Sequence, residues 1–404
     1  MHATGSLRQW RLVAVIGALS LPLILIKYTN FLYNDVIGYA LGLQKYNLNF
    51  PLPLSLSFVT FTLIAYVVDV YRERYPVENK LSTLSGLVLF FPHLIAGPIL
   101  RPHELLPQLT STKLRKRFLK PRVIFGGVFF TLGLLKKVII ADSLSPFVDL
   151  VYSSAAPELT LIDYWLAIYG FGVQIYCDFS GYTDMAIGIA LMLGIQLPEN
   201  FHQPYTAASI VEFWRRWHIT LSNWLRDYIY IPLGGSRGHY GQQFVNILIT
   251  MIIGGIWHGA NWTFVLWGLL NGVGLVAVHA YRQSKFNFIA KKIPHWIAVF
   301  ITFHFIMFTW IFFRAPNMTT VHRIFMGSFF SPFGDISLFL KMHLFPVGLI
   351  ILFLFTHKWD SRRQIRALIS KIPGPILLAI LALIWILSLV VNEGSVGKFI
   401  YFDF

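Results

Sequence analysis

Charged side chains are scarce in this sequence. Aspartate, glutamate, lysine and arginine together make up 13% of its 404 residues, whereas hydrophobic residues make up 56%. About a quarter of the residues in an average globular domain are charged, because that much charge is needed to cover its surface. The composition therefore excludes an ordinary soluble domain and predicts a protein that crosses a membrane several times.

Cysteine is also nearly absent from the sequence, and two common catalytic motifs are missing altogether. Cys177 is the only cysteine, so the chain can form no intrachain disulfide and no cysteine-based metal site. The sequence contains no HExxH and no Walker A pattern, which excludes the common zinc-protease and nucleotide-hydrolysing classes. No internal repeat or low-complexity linker is visible either. We expect residues 1–404 to form one membrane domain, without a metal ion.

Long apolar runs recur along the whole chain. Crossing about 30 Å of hydrocarbon takes about 20 helical residues, and continuous apolar runs predict membrane helices. We predict spans at residues 11–28, 52–71, 123–141, 161–177, 262–280, 293–313, 345–357 and 374–392. Shorter or glycine-broken runs at 82–100, 181–197 and 244–257 are expected to cross incompletely. The fold class is therefore all-α and polytopic, and its first run is a membrane helix because no small-residue cleavage site follows it.

The chain carries a formal net charge of +15. In a soluble protein this excess would suggest nucleic acid, but here the basic residues cluster in short loops at 113–122, 282–292 and 357–371. Basic loops between membrane helices lie in the cytoplasm. We therefore place these three loops in the cytoplasm and expect no nucleic-acid partner.

The segment 82–100 follows another charged loop, at 71–80. If that loop is cytoplasmic as well, segment 82–100 begins and ends on one side of the membrane and is re-entrant. Its prolines at 92 and 98 and the glycine at 97 make an unbroken helix unfavourable.

Polar residues interrupt the apolar pattern at 174–188, "QIYCDFSGYTDMAIG". Gln174 and Asp178 are four residues apart and so share one helix face. Ionisable groups inside a membrane are commonly functional. The alternative is a helix junction whose acids pair with a basic neighbour or cap a helix, and the residues alone do not decide between the two.

A second polar pattern covers 212–235, "EFWRRWHITLSNWLRDYIYIPLGG". Tryptophans and leucines recur at helical spacing, and Arg215, His218, Ser222 and Arg226 form a second stripe, which predicts an amphipathic helix. The helix could lie along the headgroup boundary. Alternatively its polar stripe faces a cavity, where Arg215 and Arg226 could hold phosphate or carboxylate groups.

The third polar pattern is "GGIWHGANW", residues 254–262. Gly254 and Gly255 allow a helix break or a close backbone approach, and Gly259 and Ala260 leave space through which a substrate could reach His258. A histidine on an apolar helix is more often a satisfied core residue than a catalyst, and His304, without such neighbours, is expected to be structural.

The chemistry open to His258 follows from its imidazole. An imidazole titrates near pH 6.5, so at neutral pH it can accept a proton from a hydroxyl and later return it. Such base catalysis suits acyl transfer from a thioester to a hydroxyl, because the thioester is already activated. A transporter with an intramembrane histidine and aspartate relay and a non-catalytic scaffold are the alternatives, although no inverted repeat supports transport.

Six ordered blocks resemble a known family. They are "SLSFVTFTLIAYVVDVYR", "FPHLIAGPILRPHELLPQL", "DFSGYTDMAIGIALMLGIQLPENF", "FWRRWHITLSNWLRDYIYIPLGG", "GGIWHGANWTFVLWG" and the terminal "FIYFDF". From about residue 11 to its end, the chain resembles the membrane-bound O-acyltransferase family, in particular its bacterial polysaccharide O-acetyltransferase branch. The resemblance implies roughly 9–11 transmembrane or re-entrant helices around a central funnel.

The resemblance also implies roles for individual residues. It makes His258, in the "WHG" block, the catalytic histidine, and His218, in the "RRWH" block, a second important one. Arg215, Asn261, Asp178 and Trp257 fall inside matched blocks, and we take them as candidate substrate-binding residues.

The implied reaction moves an acyl group, most simply acetyl, from a cytoplasmic thioester to a polysaccharide or cell-wall polymer outside the bacterial inner membrane. The donor is acyl-CoA, such as acetyl-CoA, or an acyl carrier protein, and no bound cofactor is implied. A periplasmic SGNH-type acyltransferase is the expected partner. Bacterial members carry further hydrophobic helices before the segment that aligns with residue 11, and this chain begins instead with a short polar tail, so we expect those helices to be missing.

Overall fold

Helices make up the fold of the described residues. The computed structural model describes residues 2–44, 46, 53, 55–94, 97–111, 120–153, 158–285, 288, 292–391 and 400, and these residues contain no β-strand. The all-α fold class is therefore confirmed. Most of the predicted basic loop 113–122, part of the loop 282–292 and nearly all of the terminal block "FIYFDF" lie outside the described residues.

The chain forms nineteen α-helical segments over these residues, joined in places by π-helical or 3₁₀ turns. They are α1 (His2–Leu23), α2 (Thr29–Phe31), α3 (Gly38–Leu41), α4 (Leu56–Tyr71), α5 (Leu81–Val88), α6 (Phe91–Leu94), α7 (Pro102–Leu109), α8 (Lys120–Leu134), α9 (Asp142–Tyr152), α10 (Leu161–Met192), α11 (Ile210–Arg216), α12 (Ile219–Leu225), α13 (Tyr240–His258), α14 (Trp262–Gln283), α15 (His295–Arg314), α16 (Met318–Phe330), α17 (Ile336–Thr356), α18 (Arg362–Ile369) and α19 (Gly374–Val391). The π-helical turns are Ile24–Tyr28, Leu32–Ile37, Leu135–Ala141 and Arg226–Tyr230, and the 3₁₀ turns are Pro204–Thr206 and His357–Trp359.

Several of these helices are long and apolar enough to cross a membrane. Among the described residues, length and composition identify six such helices, namely Leu7–Leu41, Pro121–Tyr152, Trp262–Gln283, His295–Arg314, Ile336–Trp359 and Gly374–Val391. The chain is therefore a multi-pass membrane protein, as its composition predicted. The shorter Leu56–Tyr71 is apolar as well. The family-based number of 9–11 helices also included incomplete and re-entrant segments, and it stays a prediction.

Helix α10 corrects two of the predicted segments. The runs 161–177 and 181–197 were expected to be separate, with polar residues interrupting them, but Leu161–Met192 is one helix of 32 residues. It continues because its acidic side chains are paired: Asp184 with Lys136 at 2.8 Å and Asp178 with Lys137 at 2.7 Å. Paired charges can be buried without ending a helix.

The segment 82–100 is broken, as its prolines and glycine predicted. Helix α5 ends at Val88, the four-residue α6 follows, and residues 97–101 have no regular structure. Ile99 donates its backbone N–H to Thr220 Oγ1 at 3.0 Å, so this segment is attached to α12. Its re-entrant path remains a prediction.

Glycines allow α8 and α10 to pack with their backbones in contact. A Cβ atom built on Gly126 would lie 2.6 Å from the carbonyl oxygen of Gly188, and one built on Gly181 would lie 2.7 Å from that of Gly133. Gly126 and Gly133 are seven residues apart on α8, and Gly181 and Gly188 are seven residues apart on α10. The close contact therefore repeats every two turns. Small residues serve this purpose where membrane helices cross. Gly181 thus forms a helix contact rather than a break.

Replacing Gly126 by leucine is expected to destabilise the protein by about 1–3 kcal/mol, because the added side chain would push α8 away from α10. The neighbouring Gly127 provides a matched control, since nothing lies within 4 Å of a Cβ atom built there. Thermal unfolding of detergent-purified protein should show a lower midpoint for Gly126→Leu than for Gly127→Leu. Equal midpoints would contradict the close crossing.

Candidate active site

His258 is the last residue of α13 and lies in an aromatic environment. The centroid of its ring is 4.8 Å from that of Trp257, 5.1 Å from that of Trp267 and 5.1 Å from that of Phe313, each meeting it edge to face. Its side chain is buried, with 4% of the residue exposed. The imidazole is therefore held in one orientation by rigid rings from α13, α14 and α15.

The glycines around His258 do not have the roles that the sequence predicted for them, a helix break and open space. Gly255 causes no break in α13; it lets this helix approach α14, because a Cβ atom there would lie 3.1 Å from the Cα of Gly268. Gly259 leaves no open space beside the imidazole, since the ring of Phe264 occupies the position that its Cβ would need. The expectation of an open path at Gly259 was wrong, because the turn into α14 brings Phe264 back over it.

Two side chains from the first membrane helix hold the end of α13. Lys27 Nζ donates to the carbonyl oxygens of Trp257 at 2.8 Å and His258 at 2.9 Å, and Tyr28 Oη donates to that of Ile256 at 2.9 Å. The last carbonyls of a helix have no partner within the helix and carry its negative dipole end, so a cation there is stabilising. Sequence reasoning missed both residues, although a lysine within an apolar run was a visible signal.

His218 corrects the predicted helix over 212–235. That segment is divided into α11, α12 and the π-helical turn Arg226–Tyr230, and His218 lies between α11 and α12 with φ +41°. This left-handed conformation is unfavourable for a residue with a Cβ atom and persists only where the surroundings impose it. Periodicity did not reveal the break, because tryptophans on both sides of it continue the apolar spacing.

The surroundings of His218 are buried and specific. Its ring meets that of Phe179 edge to face at 4.6 Å, and its Nδ1 is 3.3 Å from Asn200 Oδ1. Asn200 Oδ1 also accepts from Thr220 Oγ1 at 2.6 Å. Nε2 of His218 has no hydrogen-bonding partner among the described residues. One ring nitrogen is thus oriented by Asn200, a residue that sequence reasoning missed, and the other is buried without a partner among the described residues.

The indole ring of Trp257 lies close to both histidines. Its ring centroid is 6.3 Å from that of His218 and 4.8 Å from that of His258. The ring of Phe61 stacks on the indole of Trp257, with 5.0 Å between the ring centroids. Three of the predicted site residues, His258, His218 and Trp257, therefore lie together, although 40 positions separate the two histidines along the chain.

Two other candidate residues have structural partners. Asn261 caps α14, accepting from the backbone N–H of Thr263 at 3.0 Å and donating to the carbonyl of Pro316 at 2.8 Å. Asp178 pairs with Lys137 and accepts the backbone N–H of Ile400 at 2.9 Å. These contacts account for the polar atoms of both side chains, and their binding of substrate stays a prediction.

Arg215 lies on the exposed side of α11. Its neighbour Trp214 donates its ring N–H to Asn271 Oδ1 at 3.3 Å and meets the ring of Trp267, the residue of α14 that contacts His258. The role of Arg215 in substrate binding also stays a prediction.

Lys136 and Lys137 form a buried ionic cluster that sequence reasoning missed. Lys136 pairs with Asp184 at 2.8 Å and Asp360 at 2.7 Å, and Lys137 pairs with Asp142 and Asp178, each at 2.7 Å. The pairs connect α10 to the π-helical turn after α8 and to the turn after α17. "LLKKVII" within an apolar run was the available signal.

His304 has the structural surroundings that were expected of it. Its Nε2 is 2.9 Å from the hydroxyl of Tyr169, and its Nδ1 is 2.8 Å from the carbonyl oxygen of Phe300. Both ring nitrogens are thus used within the helix packing. His258 and His218 differ from it in being joined through one indole ring.

The sequence profile of the membrane-bound O-acyltransferase family matches residues 80–316. That match covers more than half of the chain and includes both histidines of the site. The chain belongs to the membrane-bound O-acyltransferase family.

Similar proteins include enzymes named for different polymers. The chain is 40% identical to the probable alginate O-acetylase of Azotobacter vinelandii over 336 residues, which are 82% of this chain and 64% of that protein. It is 40% identical to the peptidoglycan O-acetyltransferase of Helicobacter pylori over 347 residues, which are 79% of this chain and 64% of that protein. It is 26% identical to the teichoic acid D-alanyltransferase of Bacillus subtilis over 278 residues, 65% of this chain and 68% of that protein. The chain thus spans less than two thirds of the length of the first two.

Proposed function

We propose that this protein is a membrane O-acetyltransferase that passes an acetyl group from a cytoplasmic thioester toward a hydroxyl on an extracytoplasmic polysaccharide or cell-wall polymer. The observation that carries the proposal is the meeting of His258 and His218 on Trp257 inside the segment matched by the family profile. The two relatives that are 40% identical are named as an alginate and a peptidoglycan acetylating enzyme, which supports acetyl as the group and a polymer as its destination.

His258 acts as the general base in this proposal. It removes the proton of the acceptor hydroxyl as the oxygen attacks the thioester carbonyl. The new ester C–O bond forms, the C–S bond breaks, and the imidazolium returns the proton to the departing thiolate. The step is balanced without a metal ion or redox partner, because the thioester supplies the activated acyl group.

His218 orients the reacting groups. Asn200 Oδ1 contacts Nδ1 of His218 and so fixes the orientation of the imidazole. Nε2 therefore has a fixed direction, along which it can donate a hydrogen bond to a ligand or accept one from it. Trp257 supplies an apolar surface beside both imidazoles, against which a short acyl group would pack once the site opens. The left-handed backbone of His218 agrees with this role, since strained conformations cluster at functional sites.

Access to His258 requires movement of a bordering side chain. The ring is nearly buried, and Phe264 and Trp267 close it on the α14 side. Rotation of such a ring would admit substrate and exclude water again during transfer, as mobile segments do in other enzymes.

The donor side of the proposal depends on charge. Coenzyme A and acyl carrier proteins present phosphate or acidic groups, and the basic loops predicted to be cytoplasmic complement them. The protein would then lie in the bacterial inner membrane, and the acceptor hydroxyl at His258 would belong to a periplasmic SGNH-type acyltransferase, which completes transfer of the acyl group to the polymer.

Vesicles of known orientation test this function. Inverted inner-membrane vesicles that contain the protein, with polymer fragments and periplasmic extract inside, are supplied outside with acetyl-CoA labelled in its acetyl group. We expect release of the coenzyme A thiol and labelled ester inside, and no reaction when right-side-out vesicles receive the donor outside. Uptake of intact donor without thioester cleavage would identify a transporter and overturn the proposal.

A further inference from the structure

A cleft lies between α11, α14 and α15, away from the histidine site. Its volume is about 870 Å³, within the range of roughly 300–1,000 Å³ typical of small-molecule sites. Apolar side chains form most of its wall, and Tyr281, Arg282 and His295 line it near the ends of α14 and α15 that the loop connects. Its lining includes Ile210, Ala277, Val278, Ala298, Ile301 and Phe305.

The cleft extends inward from the ends of two membrane helices. On α14 it reaches from Arg282 to Gly274, and on α15 from His295 to Phe305, which corresponds to roughly 12–15 Å along the helices. Ile301 is 57% exposed, so this wall faces the bilayer. The loop that joins these helix ends is the basic segment 282–292, predicted to be cytoplasmic.

Positive charge lies at the loop end of the cleft. Arg282 lines it and is the first residue of the basic segment 282–292. The one acidic side chain of the lining that the structure describes, Glu212, pairs with Arg216 at 2.5 Å and accepts the backbone N–H of Ala208 at 2.8 Å. The mouth therefore favours an anion.

We propose that this cleft binds an anionic phospholipid of the cytoplasmic leaflet. Part of one acyl chain lies along Ala277, Ala298 and Ile301, and the phosphate lies by Arg282. Basic pockets between membrane helices on the cytoplasmic side bind anionic headgroups, and an apolar wall open to the bilayer admits an acyl chain directly.

The position of the cleft favours a lipid over the thioester donor. Its mouth is at Arg282 near the end of α14, whereas His258 contacts that helix at Trp267, about 22 Å nearer its beginning. On α14 the cleft ends at Gly274, about 10 Å short of Trp267 along the helix axis, so its lining does not reach the imidazole. The charge and the apolar wall suit a molecule that belongs to the membrane.

Lipid titration of the detergent-purified full chain tests this proposal. Phosphatidylglycerol or phosphatidylcholine is added, and bound lipid is counted by native mass spectrometry. We expect preferential retention of phosphatidylglycerol, with binding about fivefold weaker for Arg282→Gln, since a basic residue near the membrane surface contributes about that factor. Ala277→Trp should remove binding by filling the cleft without a change of charge.

Arg363→Gln is the matched control, because Arg363 is an exposed arginine in another loop predicted to be cytoplasmic; it should bind lipid as the parent does. Equal retention of the two lipids, or unchanged binding in both Arg282→Gln and Ala277→Trp, would overturn the proposal. Displacement of phosphatidylglycerol by coenzyme A, with a raised donor KM in Ala277→Trp, would identify a donor site and overturn it as well.

Discussion

Replacing His258 by alanine is expected to reduce acyl transfer by about 10²–10⁴-fold, the contribution that a positioned general base usually makes. The ring lies at the end of α13 in contact with Trp257, Trp267 and Phe313, and removing it leaves no group to accept the hydroxyl proton. The measurement is transfer of labelled acetyl from acetyl-CoA in membranes, divided by the amount of folded protein.

His304→Ala is the matched control for that experiment. His304 is also an intramembrane histidine among aromatic rings, but both of its ring nitrogens have partners within the helix packing. Its loss should lower stability and leave transfer per folded molecule within a few-fold of the parent. If His258→Ala retained nearly the parental rate, the catalytic assignment would be rejected, whatever the result for His304.

Lys27→Met is expected to lower kcat by roughly ten- to a hundredfold with little change in donor KM. Lys27 holds the carbonyls of Trp257 and His258, and its loss leaves two carbonyl oxygens at the end of α13 without that donor. A displacement of about 1 Å in a catalytic group can cost about 10²-fold in rate. Steady-state kinetics on purified protein separates kcat from KM, and Lys27 is thus a positioning residue.

Two further variants distinguish positioning from stability. Lys27→Arg keeps a cation with several donors and should restore most of kcat, whereas Tyr28→Phe removes only the hydrogen bond to Ile256 and should have a smaller effect. Thermal unfolding is measured in parallel. If the activity of Lys27→Met fell only in proportion to the folded protein, or donor KM rose while kcat stayed constant, the positioning role would be wrong.

The composition and the apolar runs were sufficient for the fold class, because a bilayer places one strong requirement on every spanning segment: about 20 apolar residues in a helix. The same reasoning located α13, α14, α15 and α19 to within a few residues. It failed at α10, where buried aspartates looked like interruptions. Their partners, Lys136 and Lys137, lie more than 40 positions earlier in the chain, so no local pattern could show that these charges are neutralised.

The candidate site was also predictable only in part from the sequence. His258 and His218 were found from residue type, glycine neighbours and matched family blocks, all of which are properties of short segments. Their meeting on Trp257, the left-handed backbone at His218 and the orientation of its ring by Asn200 depend on contacts between distant elements. Lys27 contacts a carbonyl 231 positions away.

The sequence by itself determined that this chain is a helical membrane protein and which two histidines were the candidates for the active site, because hydrophobicity and residue chemistry are local properties. Only the tertiary structure decided which polar groups are satisfied by partners, which glycines serve helix contacts, and that Phe264 closes the side of His258 expected to be open. Helix packing brings together residues far apart in the chain, and the free energy of a buried polar group depends on its neighbours in space.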